Sequence, residues 1–332
     1  MATSGTYTFT VTRDDIVRES MLNIGLLYET EAPSAQEVTD ITRKINMIVK
    51  QWQAKADFAP GLKVWTRIHA DLFLSSTTGA YFAGTGATGW ATGGSVQFIT
   101  LTATANANAT ALTVSSISGI SSGDNIGICL DSGALFWTTV NGAPSGSTIN
   151  ITTGITSKAT NGANVFSYPV ASSPVRPERI ETAVLRDINN NDIPMNFMTL
   201  QDRELLPTKA SSNYIADPQA LYYEYQLNTN NQGKIYLDVG ACADTTKHIH
   251  LVYQSPVMDL TNPTDNFQYP QGWYMALAWE TSKQIAPMFN KAWSQTQEEN
   301  RREAIAIARE QFPETDTIYF QCKAESIYRE LG

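Results

Sequence analysis

A chain of 332 residues exceeds what one simple core organises, so two or three lobes are expected. With 42% apolar and only 17% charged residues it is not a disordered, charge-rich polypeptide. A formal net charge of −9 argues against gripping nucleic acid through a basic patch, though not against DNA passing along an acidic surface.

The first elements are helical. Thr12 and Asp15 form a capping box ahead of Val17, Met21 and Ile24, which sit at helical spacing, and Gly25 is placed to end the turn. Ser34 and Glu37 form a second box. Behind it Val38, Ile41, Ile45, Ile48, Val49 and Trp52 make an apolar stripe, with Arg43, Lys44 and Lys50 off it. Two antiparallel amphipathic helices joined by a short loop are expected.

Residues 63–74 read as strand. Residues 90–168 are rich in Thr, Ser, Gly, Ala and Asn, with short β-prone runs at 96–101, 112–114, 125–130, 136–140, 149–151 and 165–168. Short strands divided by Gly/Ser/Asn turns predict a small β-sandwich or barrel, inserted into a host domain. A second β-region follows at 180–186, 221–226, 234–239 and 248–254, the first strand ended by an Asn189-Asn190-Asn191 turn. Helix returns where Pro270 opens a segment through Trp273, Leu277 and Ile285, stopped by Pro287. Ser294 and Gln297 cap a last helix with Ala304, Ile305 and Ala308 on one side; an aromatic-dotted tail follows Phe312-Pro313. The expected class is α+β: a helical bundle from 1–62 and 263–332, a β-rich domain from 63–90 and 171–262, and an inserted sandwich or barrel at 91–170.

Chemistry finds little foothold. Lys247-His248-Ile249-His250-Leu251-Val252-Tyr253 puts two imidazoles on one face of a strand, as several metal enzymes do. A third ligand would have to come from His69, Asp238 or Asp244, and the segment reads as a strand with two outward histidines. Gly84-Thr85-Gly86-Ala87-Thr88-Gly89 matches a dinucleotide fingerprint in letters, but Trp90-Ala91-Thr92-Gly93-Gly94 is a poor helix start, so a flexible loop is expected. Asp187 to Asp192 begins like a calcium loop yet has Asp192 at the sixth position and Met198 at the twelfth, and reads as a hairpin turn. Cys129, Cys242 and Cys322 show no zinc or redox spacing and read as free buried thiols. There is no GxSxG elbow. No catalytic residue, cofactor or metal is expected, and no enzyme. The N-terminus lacks the basic and apolar regions of a signal peptide, and no run approaches the ~18–20 apolar residues of a membrane span. A chain made in a cytoplasm is expected.

An ordered set of short motifs carries a resemblance. Asp15-Ile16-Val17, Leu22-Asn23-Ile24-Gly25, Asp40 and Ile45-Asn46-Met47-Ile48-Val49-Lys50-Gln51-Trp52-Gln53-Ala54 come first. Leu62-Lys63-Val64-Trp65, Phe73-Leu74, Leu112-Thr113-Val114, Gly123-Asp124-Asn125-Ile126-Gly127-Ile128 and Trp137-Thr138-Thr139-Val140 follow. Arg176-Pro177-Glu178-Arg179-Ile180, Asp192-Ile193-Pro194-Met195, Tyr253-Gln254-Ser255-Pro256 and Pro270-Gln271-Gly272-Trp273-Tyr274-Met275-Ala276-Leu277 complete it. Taken in order, they resemble the head-to-tail adaptor (connector) proteins of short-tailed bacteriophages, in a long form with an inserted β-domain. The resemblance implies a virion protein forming a dodecameric homo-oligomeric ring between the portal protein and the tail nozzle or tail tube protein, with tail fibres a further candidate partner. It implies that double-stranded DNA passes through the lumen without specific binding and that no membrane is involved. Phe312, Tyr319, Phe320 and Tyr328 would be the portal-interface anchors of the C-terminal segment. Two other readings stay open: a decoration or receptor- or fibre-attachment virion protein whose sandwich binds carbohydrate, and a metal-dependent enzyme using His248 and His250.

Overall fold

The capping box at Thr12 forms as its spacing predicts: the Asp15 N–H donates to Thr12 Oγ1 (3.3 Å) while the Asp15 carboxylate accepts from the Thr12 N–H (2.9 Å). In this computed structural model residues 9–28, 30–54, 66–172, 174–207, 209, 214–225, 230–267 and 269–310 are described. The helices among them are α1 (Arg13–Leu22), α2 (Ala35–Ala54), α3 (Leu200–Leu205), α4 (Trp273–Ile285) and α5 (Gln295–Glu310). Two compact units divide the chain: residues 1–65 with 257–332, and residues 66–256.

In the first unit, Gly25 ends the α1 turn at φ 64°, its N–H donating to the Leu22 carbonyl and the Leu26 N–H to the Met21 carbonyl, the paired bonds of a Schellman turn. The Ser34–Glu37 box caps α2, which buries Ile41, Ile45, Ile48, Val49 and Trp52 as its stripe predicts. These side chains share one core with Val17 and Met21 of α1, Trp273, Leu277 and Ile285 of α4, and Ala304, Ile305 and Ala308 of α5. Small residues let α1 and α4 approach closely: Ser282 Oγ donates to the Ser20 carbonyl (3.0 Å) and Ser20 Oγ to the Ala278 carbonyl (3.2 Å). Pro287 does not stop the chain outright. It sits in the first turn of a 3-10 segment, Ala286–Phe289, where its missing N–H is tolerated, and Asn290 in the left-handed region ends that turn.

The second unit is built of strands: β1 (Arg67–Phe73), β2 (Ala80–Ala83), β3 (Trp90–Thr92), β4 (Gln97–Thr100), β5 (Ala111–Thr113), β6 (Asn125–Cys129), β7 (Leu135–Thr139), β8 (Thr148–Asn150) and β9 (Asn164–Tyr168) come first. Then come β10 (Arg179–Arg186), β11 (Asp192–Pro194), β12 (Asn196–Phe197), β13 (Ile215–Ala216), β14 (Ala220–Glu224), β15 (Gly233–Leu237), β16 (Ala241–Cys242) and β17 (His248–Gln254). A five-stranded sheet, β11-β10-β17-β1-β3, and a four-stranded sheet, β12-β14-β15-β2, enclose one core of Leu72, Leu185, Leu251 and Tyr253 against Leu221, Ile235 and Leu237. A second four-stranded sheet, β4-β9-β6-β7, and the pair β5-β8 enclose another, with Ile99, Ile126, Ile128 and Val165 meeting Leu112 and Ile149. Neither pair closes into a barrel, so the barrel alternative is set aside.

Two short strands had no signal of their own in the sequence. β2 and β3 form within residues 80–92 by pairing with the edges of β15 and β1, without apolar alternation in Ala-Tyr-Phe-Ala. The Gly84–Gly89 stretch is the turn between these two strands, with the Ala87 N–H donating to the Gly84 carbonyl. The β-run expected over 63–74 is described only from residue 66, its strand starting at Arg67.

Candidate functional site

Strand pairing gathers the chain's three histidines. In β1, Ala70 and Leu72 face the core, which turns His69, Asp71 and Phe73 to the other side of the sheet. In β17 the core takes Ile249, Leu251 and Tyr253, which turns His248 and His250 the same way. The antiparallel register sets Asp71 directly across from His250 and Phe73 across from His248, so His69 stands diagonal to His250 and His248 diagonal to Asp71. From the other flank, β10 brings Val184 opposite His250 and Arg186 opposite His248. Arg186 makes two bonds to Asp192 of β11, at 2.7 and 2.8 Å.

His250 Nδ1 lies 2.7 Å from Asp71 Oδ1. A carboxylate only accepts, so this nitrogen carries the proton. His250 Nε2 lies 3.2 Å from His69 Nδ1, and a neutral His250 must accept there from His69. His69 is exposed, His250 half-buried and Asp71 only 5% exposed. Gly93 roofs the pair: a Cβ there would stand 3.2 Å from His69 Cβ and 3.3 Å from His250 Cε1.

His248 differs. It is 4% exposed, its Nε2 stands 3.7 Å from Asp71 Oδ1, beyond hydrogen-bond reach, and its Nδ1 is buried without a partner. Its ring packs 6.0 Å from Phe73 and 5.2 Å from Phe98. Burial lowers its pKa below the usual histidine value, Asp71 opposing and Arg186 and His250 adding to the fall.

Both histidines thus share a face, as their spacing requires, but they are not outward: one is buried and the other half-covered. Of the further members named from sequence, His69 is brought in, and Asp71, which the sequence did not single out, joins it. Asp238 and Asp244 are engaged elsewhere, with Asp238 accepting from the Gln219 N–H and Asp244 from Thr246. Among the described residues no group of three His, Cys, Asp or Glu is placed to hold a metal. The Asp187 turn is a hairpin between β10 and β11, with Asp187 Oδ1 accepting from the Asn189 and Asn191 N–H groups. Cys242 is buried as expected, while Cys129 is only partly covered; burial pushes both thiols up to about 11. Cys322 and the anchors Phe312, Tyr319, Phe320 and Tyr328 lie outside the described residues.

A different surface marks the helical unit. Phe9, Val11, Ile16, Tyr274, Met275 and Ala278 line a groove of about 480 Å³, with Phe9 65% and Met275 54% exposed. No helix among the described residues is long and apolar enough to cross a membrane. No family model matches the chain, and no curated protein matches it.

Proposed function

We propose that the protein is a structural component of a short-tailed phage virion, a head-to-tail adaptor whose copies form a ring, dodecameric in the resembled family, between the portal and the tail nozzle. The observation that carries this reading is the helical core drawn from both sides of the β-rich stretch, α1 and α2 with α4 and α5, while every strand among the described residues lies between α2 and α4 in sequence. That is the architecture implied by the ordered motif resemblance, in which the helices form the body of the ring and β4 to β9 are an inserted module. An apolar groove on the same helical unit supports a role in contact with other subunits. The net charge of −9 suits a lumen along which duplex DNA slides without arrest. On this reading the protein resides in the virion neck, acts by shape, and turns over no substrate.

Mixing the full-length chain with portal rings of the same phage and weighing the products by native mass spectrometry tests it. A portal-bound ring is expected, and a chain ending at Glu310 should stay folded yet fail to dock, since the aromatic tail is the proposed anchor. Absence of any portal complex, or docking that persists unchanged in the shortened chain, overturns the reading or its anchor respectively.

One observation favours the metal-enzyme alternative: His69 Nδ1 and His250 Nε2 approach to 3.2 Å, with Asp71 on the far nitrogen of His250 as in carboxylate-oriented metal ligands. A catalytic zinc ordinarily takes three protein ligands, and His248 Nε2 is turned toward Asp71 instead. Stoichiometric zinc or iron in the purified protein would restore that alternative.

A further inference from the structure

The aromatic cluster beside His248 joins two parts of the β-rich unit. Phe73 of β1 stacks on Phe166 of β9 (4.7 Å, 26°), Phe98 of β4 meets Phe166 edge-on (5.7 Å), and Trp137 and Tyr168 complete the plug. Phe98 and Phe166 are cross-strand partners on the two strands by which the chain enters and leaves the β4–β9 segment. His248 lies at the foot of this plug, between Phe73 and Phe98. Phe98, whose ring lies 5.2 Å from that of His248, is itself 45% exposed.

We propose that His248 is a proton-operated latch, which holds the β4–β9 segment seated on the five-stranded sheet while the imidazole is neutral and loosens it when the imidazole is charged. Neutral His248 needs few partners and packs as an aromatic ring. Charged His248 carries two N–H donors, and the buried Nδ1 has no acceptor. The groups facing it decide the balance. Asp71 of β1 attracts the charge, but its Oδ1 already accepts from His250 at 2.7 Å. Asp192 of β11 attracts it too, but is bound at both oxygens by Arg186 of β10, whose cation repels it. His250 on its own strand adds repulsion, and His69 of β1 lies within hydrogen-bond distance of His250, on its far side from Asp71. The rings of Phe73 and Phe98 offer a cation weak attraction. Burial outweighs these attractions, consistent with the lowered pKa. A charged His248 gains water most directly by displacing Phe98, and Phe98 cannot leave without parting from Phe166. This inference concerns the β-rich unit alone and rests on no assignment of function.

Hydrogen exchange of the full-length protein, corrected for intrinsic rates, tests it. Between pH 7.5 and 5 the amides of 97–100 and 164–168 should lose protection, while those of 41–52 hold theirs. In His248→Phe, which fills the site with an uncharged ring, that loss should vanish. Equal loss in the variant, or no loss in the natural chain, overturns the proposal. Because the sequence has only three histidines, imidazole NMR of the unaltered protein provides a check that needs no variant. His248 should titrate below the ordinary histidine value, and titration at or above about 6.5 overturns the latch.

Discussion

Asp71 is a buried carboxylate on a strand whose opposite face is hydrocarbon, and its bond to His250 is what makes it tolerable there. Asp71→Asn keeps the shape but removes the charge-assisted acceptor, and should destabilise by about 1–3 kcal/mol in urea unfolding at pH 7.5. His248 sets a separate, pH-dependent term. Its folded pKa lies below its unfolded value, so below about pH 6.5 the unfolded chain takes up a proton that the folded chain refuses. Stability should therefore be fully present above that pH, fall as pH drops through it, and level off once the folded-state pKa is passed. His248→Phe should flatten this window. Asp265, held at about 2 by the N–H groups of Thr261 and Asn262, belongs to a different one: its contribution is present above the ordinary carboxylate pKa and is lost only as the pH falls toward 2. Unfolding curves at closely spaced pH values separate the two.

Caps and stripes contribute unequally to the helices. Thr12→Ala removes a solvent-facing cap bond and should cost about 1 kcal/mol. Ile45→Ala, at a position with 0% exposure on the α2 stripe, should cost about 2–5 kcal/mol through lost burial and a residual cavity. Thermal unfolding of both variants checks the order. Between β6 and β7, Gly127 pairs with Trp137, and a Cβ on Gly127 would stand 2.7–2.8 Å from the indole. Gly127→Ala should displace Trp137 from the aromatic plug and destabilise by about 1–3 kcal/mol, visible as changed exchange in 97–100 and 164–168. Alternation alone would have favoured a larger residue at this position; the indole across the ladder is the reason for glycine.

The two units differ in how their cores are assembled. Every buried cluster of residues 66–256 draws only on that segment, whereas the helical core needs residues from both ends of the chain. A fragment of 66–256 should therefore fold alone with exchange protection like that of the full protein, and a fragment of 1–65 should not, since its apolar stripe would lack α4 and α5. Circular dichroism and exchange on the two fragments check this; a cooperatively folded 1–65 fragment would contradict it.

Local chemistry made α1, α2, α4 and α5 and most strand positions readable in advance, because 3.6-residue and two-residue periodicities and Ser/Thr-x-x-Asp/Glu/Gln boxes act over a few residues; α3 was not read, although Thr199 and Asp202 form such a box. Ile41, Ile45 and Trp52, or the strand around Ile126 and Ile128, announce themselves in that way. The short strands at 80–83 and 90–92 did not, since a distant edge imposes their conformation. The histidine cluster was half visible: spacing placed His248 and His250 on one face, but Asp71 and His69 lie about 180 residues away in sequence. Antiparallel register alone brings them together, and with them the burial that makes one imidazole unlike the other two.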